Sequence, residues 1–139
     1  MNILLIHETH LRVRYGETDQ MGFCYYGNYA TYFEVGRVEA MRSIGMSYKA
    51  IEEGGKMLPV ISYSVDFLSP AYYDDLLTIK TSITKLEGAK LYFSYEIYNE
   101  SQIKLCKAET MLVFVNSVSK KPTQAPKELI EILKKHEVK

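Results

Sequence analysis

Three features of the sequence predict an α+β domain in which one long helix lies against a strongly curved antiparallel sheet. The first is element order: one strand, one long helix, then a run of consecutive hairpins. The second is the helical recurrence of Tyr29, Tyr32, Phe33, Gly36, Ala40 and Ile44 along a single face. The third is the clean alternation of residues 90–99, with Leu91, Phe93, Tyr95 and Ile97 inward and Tyr92, Ser94, Glu96 and Tyr98 outward.

The elements follow in order. Residues 9–15 alternate apolar and polar and read as a strand, and the apolar residues ahead of them read as a short leading strand or a loose terminus. A polar, glycine-marked loop spans residues 16–27. A helix is expected over residues 28–44, with Asn28 as N-cap and Gly45 as its stop. Gly36 in mid-helix costs about 1 kcal/mol relative to alanine, which makes sense if the sheet approaches closely there. Ser47 caps a short helical turn that ends at Gly54 and Gly55. Strands are then expected over 58–68, with Ile61, Tyr63, Val65 and Phe67 on one face, and over 76–86, with Leu77, Ile79 and Ile83 on one face. A further strand over 103–116 shifts its apolar phase between Leu105 and Cys106, which predicts a bulge. Gly88-Ala89 and residues 99–102 are the hairpin turns. A lysine-rich helix over 126–136 closes the chain.

At 139 residues the chain is one domain by length, residues 1–139, and large enough for a real core. Lysine plus arginine and aspartate plus glutamate both number 17, so there is no basic excess to neutralise nucleic-acid phosphates. No apolar run reaches membrane-spanning length. The opening MNILLIHE lacks a basic n-region and a cleavage site and does not read as a signal peptide. Cys24 and Cys106 are far apart without ligand-like neighbours, which suits two reduced, packed thiols in a cytoplasmic protein. Cys24 lies in the loop-to-helix segment and borders any site there.

The chemistry concentrates between Tyr15 and Arg37. Asp19 is a lone carboxylate in a loop that leads into a helix N-terminus, where unpaired N–H groups and a partial positive charge are available. Such a carboxylate supplies a nucleophile or base while the N–H groups hold a developing oxyanion, an arrangement suited to attack on an acyl carbonyl. The same pattern also occurs as a plain helix cap. Competing machinery is missing: there is no G-x-S-x-G elbow, no zinc-type Cys/His spacing and no glycine-rich phosphate loop. No metal site and no separate cofactor are expected.

The pattern Asp19-x-x-Gly22-x-x-Tyr25-Tyr26-x-Asn28-Tyr29, followed by Tyr32-Phe33-Glu34-x-x-Arg37, resembles the signature of hotdog-fold acyl-CoA thioesterases, most closely the 4-hydroxybenzoyl-CoA thioesterase-like branch. Leu58-Pro59-Val60 and the run from Asp66-Phe67 through Pro70-Ala71 to Tyr73-Asp74-Asp75-Leu76 match as well, so the resemblance covers roughly residues 10–116. It implies a hotdog fold, a curved sheet wrapped around a central helix. It also implies hydrolysis of a short-chain, medium-chain or aromatic acyl-CoA, with CoA as part of the substrate. Asp19 would be the catalytic carboxylate and the Tyr26 N–H the main oxyanion donor. Asn28, Tyr29, Pro59, Ser62 and Tyr63 would meet substrate, the last three contributed by a second chain in a homodimer or homotetramer. Glu34 and Arg37, at i and i+3, are expected to pair. Tyr25, Tyr26, Tyr29, Tyr32 and Tyr63 would wall a pocket, although any single one also suits plain packing.

Two departures stand out. Several relatives carry histidine where this chain has Tyr26, and a basic cluster that holds CoA phosphates in some members is reduced here to the separated Lys85 and Lys90. Fold-sharing dehydratases and hydratases use a histidine, and none lies between His10 and His136. The lack of a basic or amide side chain obviously aimed at a ring substituent favours an aliphatic acyl group. The alternative is a non-catalytic acyl-thioester-binding or protein-interaction module of the same fold.

Overall fold

The computed structural model describes residues 3–137. Its sheet has five antiparallel strands in the order β1-β4-β5-β6-β3, namely β1 (Leu5–Arg12), β3 (Val60–Phe67), β4 (Leu76–Glu87), β5 (Lys90–Tyr98) and β6 (Lys104–Val113). A small second sheet pairs β2 (Lys56–Met57) with β7 (Val115–Asn116). The long helix α1 (Tyr29–Ser43) packs against β1, β4 and β5, and α2 (Tyr48–Glu53) and α3 (Lys127–His136) are shorter. Among the described residues no helix is long and apolar enough to cross a membrane.

The core lies between α1 and the concave face of the sheet. Tyr29, Tyr32, Phe33, Ala40 and Met41 bury against Leu77, Ile79, Ile83, Leu91, Phe93, Tyr95 and Ile97, so the expected faces of α1, β4 and β5 are the observed ones. Gly36 marks the closest approach. A Cβ there would fall against Thr81 Oγ1 and 3.0 Å from Ile79 Cγ2. Gly45 ends α1 at φ +81°, and Ser47 Oγ accepts the Ala50 N–H at the start of α2.

Some boundaries differ from expectation, each for a pairing reason. The first strand runs over Leu5–Arg12 rather than 9–15, because Leu5 to Arg12 pair with Ile83 to Leu76 along β4. Residues 15–17 instead form a 3-10 turn. The strand expected over 103–116 ends at Val113, and Val115–Asn116 leave it to pair with Lys56–Met57. Its bulge falls where the apolar phase shifts: Ile97 opposes Cys106 while Tyr98 opposes Lys104, leaving Leu105 as the extra residue. A second bulge between Val60 and Ser62 changes the face of β3. Val60, rather than Ile61, therefore joins Tyr63 beside α1.

β3 is an edge strand with seven of its eight residues exposed, including Val60, Ile61, Tyr63 and Phe67. Ahead of α1, residues 26–28 form another 3-10 turn.

Candidate active site at the helix entrance

The loop that carries Asp19 is folded by its own hydrogen bonds. Asp19 N–H donates to Phe23 O, Gly22 N–H returns to Asp19 O, and Thr18 bridges Cys24 as a short antiparallel pair. Gly22 sits at φ +89°, a conformation that side chains with a Cβ rarely adopt. The Asp19 carboxylate accepts the Met21 N–H at 2.9 Å through Oδ1, which fixes its direction with one oxygen. The spacing of Asp19 and Gly22 thus has a backbone cause, a turn whose fourth residue is left-handed.

Glu17 holds this loop to the helix, and sequence reasoning missed it. Its side chain accepts the Arg14 N–H at 2.8 Å and the Tyr32 hydroxyl at 2.8 Å, while its carbonyl accepts the Tyr25 N–H and the Asn28 Nδ2. Burial disfavours its charge, yet these donations and the Arg14 guanidinium outweigh that and hold the carboxyl below the usual glutamate range. The signal available beforehand was only its position two residues before Asp19.

Asn28 stands at the expected place with a different task. It has helical backbone angles and makes no capping bond; its amide donates instead to Glu17 O at 2.8 Å. The turn ahead of α1 bonds Asn28 N–H to Tyr25 O, and no described acceptor takes the Tyr26 N–H. That is the group expected to remain free at a helix entrance.

Asp19, Tyr26 and Tyr29 line one cavity of about 460 Å³, together with Met21, Phe23, Cys24 and the segment from Phe67 to Pro70. Its walls are apolar and aromatic: Tyr26 lies 6.4 Å and Tyr29 5.0 Å, ring to ring, from Phe67. Cys24 is buried beside Tyr32, its Sγ 3.3 Å from the hydroxyl, and burial raises its thiol above the ordinary range. Both cysteines are free.

The other expected site residues lie elsewhere in the chain. Pro59 borders a separate cavity with Tyr48, Ile51 and Leu58, Ser62 is exposed on the edge strand, and Tyr63 lines a third cavity with Phe33 and Arg37. Within one chain none of the three reaches the Asp19 cavity. The expected Glu34–Arg37 pair does not form. Glu34 points to solvent, whereas Arg37 is buried and donates to the Tyr95 hydroxyl at 3.1 Å. The reason is geometric: Arg37 shares the core-facing stripe of α1, and Glu34 lies off it.

Comparison with known proteins places the chain among relatives of similar length. The model of the thioesterase superfamily matches residues 21–106. Bacillus subtilis YneP, a provisionally named acyl-CoA thioesterase, is 33% identical over 119 residues, covering 86% of each chain. The acyl-CoA thioester hydrolase YbgC of Escherichia coli O6:H1 is 32% identical over 120 residues, covering 86% of this chain and 90% of its own. Among solved structures, a DHNA-CoA thioesterase from Staphylococcus aureus superposes with a TM-score of 0.90 at 31% identity, covering 94% of this chain and 89% of that one.

Proposed function

The chain belongs to the thioesterase superfamily, with a hotdog fold, and from that premise we propose that it hydrolyses acyl-CoA thioesters with Asp19 and the Tyr26 N–H as its catalytic groups. The observation that carries this reading is the shared cavity: Asp19, its carboxylate anchored by one oxygen, and Tyr26, at the helix entrance, line the same largely apolar space. In the proposed reaction, Asp19 attacks the thioester carbonyl or draws a proton from a water that does. The carbonyl oxygen becomes an oxyanion against the Tyr26 N–H. Collapse breaks the C–S bond and the CoA thiolate leaves and takes up a proton; where water attacked, the free acid forms directly, and where Asp19 attacked, a water then hydrolyses the mixed anhydride, releasing the acid and restoring the carboxylate. A thiolate leaves readily, so one carboxylate and one donor suffice without a histidine. Each such oxyanion donor is worth roughly 10²–10³ in rate.

The Asn28 amide, turned to Glu17, serves to hold the entrance, and Tyr29 forms the pocket floor. The proposal gives Pro59, Ser62 and Tyr63 to the site of a second copy. The open edge of β3, with Val60, Ile61 and Tyr63 exposed, supports assembly into a homodimer or homotetramer, because such edges are usually covered. Two reduced thiols support a cytoplasmic setting. The deciding experiment is thiol release from a panel of aliphatic and aromatic acyl-CoAs, run with the parent protein and with Asp19→Asn. Release that is lost in Asp19→Asn supports the assignment. Tight acyl-CoA binding without release supports the binding-module alternative.

A further inference from the structure

The face of the sheet turned away from α1 carries a row of alternating charge. Register aligns Glu8, Lys80, Glu96, Lys107 and Asp66 across β1, β4, β5, β6 and β3, and residues paired in register share a face. The signs run minus, plus, minus, plus, minus. Of these five, Glu96 alone closes an ion pair among the described residues, with Lys104 at 2.6 Å. Lys80 and Lys107 close none, although each stands between two carboxylates in the row. The adjoining row is nearly bare. It aligns Ile6, Ser82, Ser94, Glu109 and Ser64, three of them serines, and Ser82 is only 8% exposed. A trough of about 450 Å³ opens over these serines, walled by Lys80, Glu96, Lys107 and Asp66. Such short side chains let a second surface come close.

The pattern complements itself in one arrangement. Facing sheets pack about 10 Å apart with their strands roughly aligned. Two copies related by a two-fold axis along the strands therefore meet row on row, in reversed order. An axis over β5 sets Glu96 over the partner's Glu96 and Lys80 over the partner's Lys107, like over like. An axis over the gap between β5 and β6 sets Lys80 over the partner's Asp66 and Glu96 over the partner's Lys107, each pair formed twice. In the bare row the same axis sets Ser94 over the partner's Glu109, hydroxyl to carboxylate, and Ser82 over the partner's Ser64. The gap between β4 and β5 matches as many charges but lays Ile6 over the partner's Glu109. A partner of a single charge sign would meet repulsion somewhere along the row, whereas a second copy meets none.

We propose that this outer face docks a second copy of the chain, two-fold about an axis between β5 and β6, through Lys80–Asp66 and Glu96–Lys107 ion pairs. The surface is distinct from the open edge of β3. Edge pairing extends a sheet in its own plane, while this contact stacks one sheet on another, so both are used at once and together give a tetramer. The proposal is independent of the thioesterase reading.

The test is particle mass by light scattering at micromolar concentration in low salt, where exposed charges are least screened. Lys80→Glu should halve the mass of the parent, because it sets a carboxylate over the partner's Asp66 at two places. The double variant Lys80→Glu with Asp66→Lys should restore the parent mass. Within one chain these two positions lie three strands apart, about 14 Å, so restoration acts only between copies. A Lys80→Glu particle as heavy as the parent overturns the proposal and leaves the face to solvent or to another partner. A double variant that stays at half mass overturns it as well. Should Lys80→Glu fail to fold by circular dichroism, Asp66→Lys takes its place, and an undiminished mass again counts against the proposal. The halved particle judges the edge separately: 16.0 kDa means that the β3 edge is unpaired, and twice that mass means that it is paired.

Discussion

Removing the Glu17 side chain tests whether the loop bearing Asp19 is held from beneath. Glu17→Ala deletes the acceptor for the Arg14 N–H and the Tyr32 hydroxyl, both at 2.8 Å, and for the Arg14 guanidinium at 3.1 Å. The guanidinium contact counts least. The Arg14 side chain is 80% exposed, and such pairs are worth about 0–1 kcal/mol. The other two count more, since the Glu17 side chain is 12% exposed and a hydrogen bond to a charged group contributes about 1.5–3 kcal/mol. The buried Tyr32 hydroxyl is left with Cys24 Sγ as its one hydrogen-bond partner among the described residues. The expected loss is about 2–4 kcal/mol in urea denaturation, and a double-mutant cycle with Tyr32→Phe should give a coupling above about 1 kcal/mol. The Glu17 carbonyl survives, so the helix entrance stays while Asp19 loses its register; kcat/KM should fall about 10–100-fold. The sign with pH follows from the depressed carboxyl. Its stabilisation is present above the unfolded value of about 4.3 and is lost as pH falls through the lower folded value, so the gap between parent and variant should narrow on acidification. A coupling below about 0.5 kcal/mol, or unchanged kcat/KM, would refute the reasoning.

Four further outcomes are expected. Asp19→Asn keeps an oxygen for the Met21 N–H, so thiol release should drop by about 10²–10⁴ with stability within ~0.5 kcal/mol of the parent, and wild-type turnover would remove Asp19 from the mechanism. Gly36→Ala gains about 1 kcal/mol of helix propensity but drives a methyl into Thr81 and Ile79, at an overpacking cost of about 1–3 kcal/mol, so thermal unfolding should show net destabilisation; a variant as stable as the parent would mean the sheet draws back. Burial raises both thiols, Cys106 to about 12, so iodoacetamide should label neither in the native protein at mildly alkaline pH, and rapid native labelling of Cys24 would contradict its packing. Light scattering at micromolar concentration should report a dimer or tetramer, and a 16.0 kDa particle alone would end the assembly proposal.

The parts of the fold written as local periodicity were legible in the sequence. β5 alternates in agreement with its burial, α1 carries its apolar stripe, and the phase slip at Leu105 marked a real bulge. What escaped was set by distant pairing. β1 starts at Leu5 because β4 is long enough to meet it, and Val115–Asn116 leave β6 because Lys56–Met57 are within reach. For the candidate site, a motif singled out Asp19 and Tyr26, which the fold brings to one cavity. Glu17 could not, since its importance lies in contacts to Tyr32 and Asn28 on another element. Arg37 misled for a related reason. Spacing offered it Glu34, whereas its place on the core-facing stripe of α1 turned it inward to Tyr95.

The surplus residue in β6 also acts at a distance. The Leu105 carbonyl takes two donors, the N–H groups of Leu68 and Ser69, just where the chain leaves β3. Three positions on, the Ala71 carbonyl takes the Cys24 N–H at 2.7 Å beneath the Asp19 loop. The irregularity is therefore a fastening point, and the short strap from Leu68 to Ala71 is strung between it and the Asp19 loop. Length changes in this chain should accordingly be unequal in effect. Extra residues in the turn at 99–102 lie beyond the fastening and leave the strap alone. Loss of one residue at 105 would regularise the sheet, release the strap, and shift the cavity wall built from Phe67 to Pro70 without touching any residue of the motif.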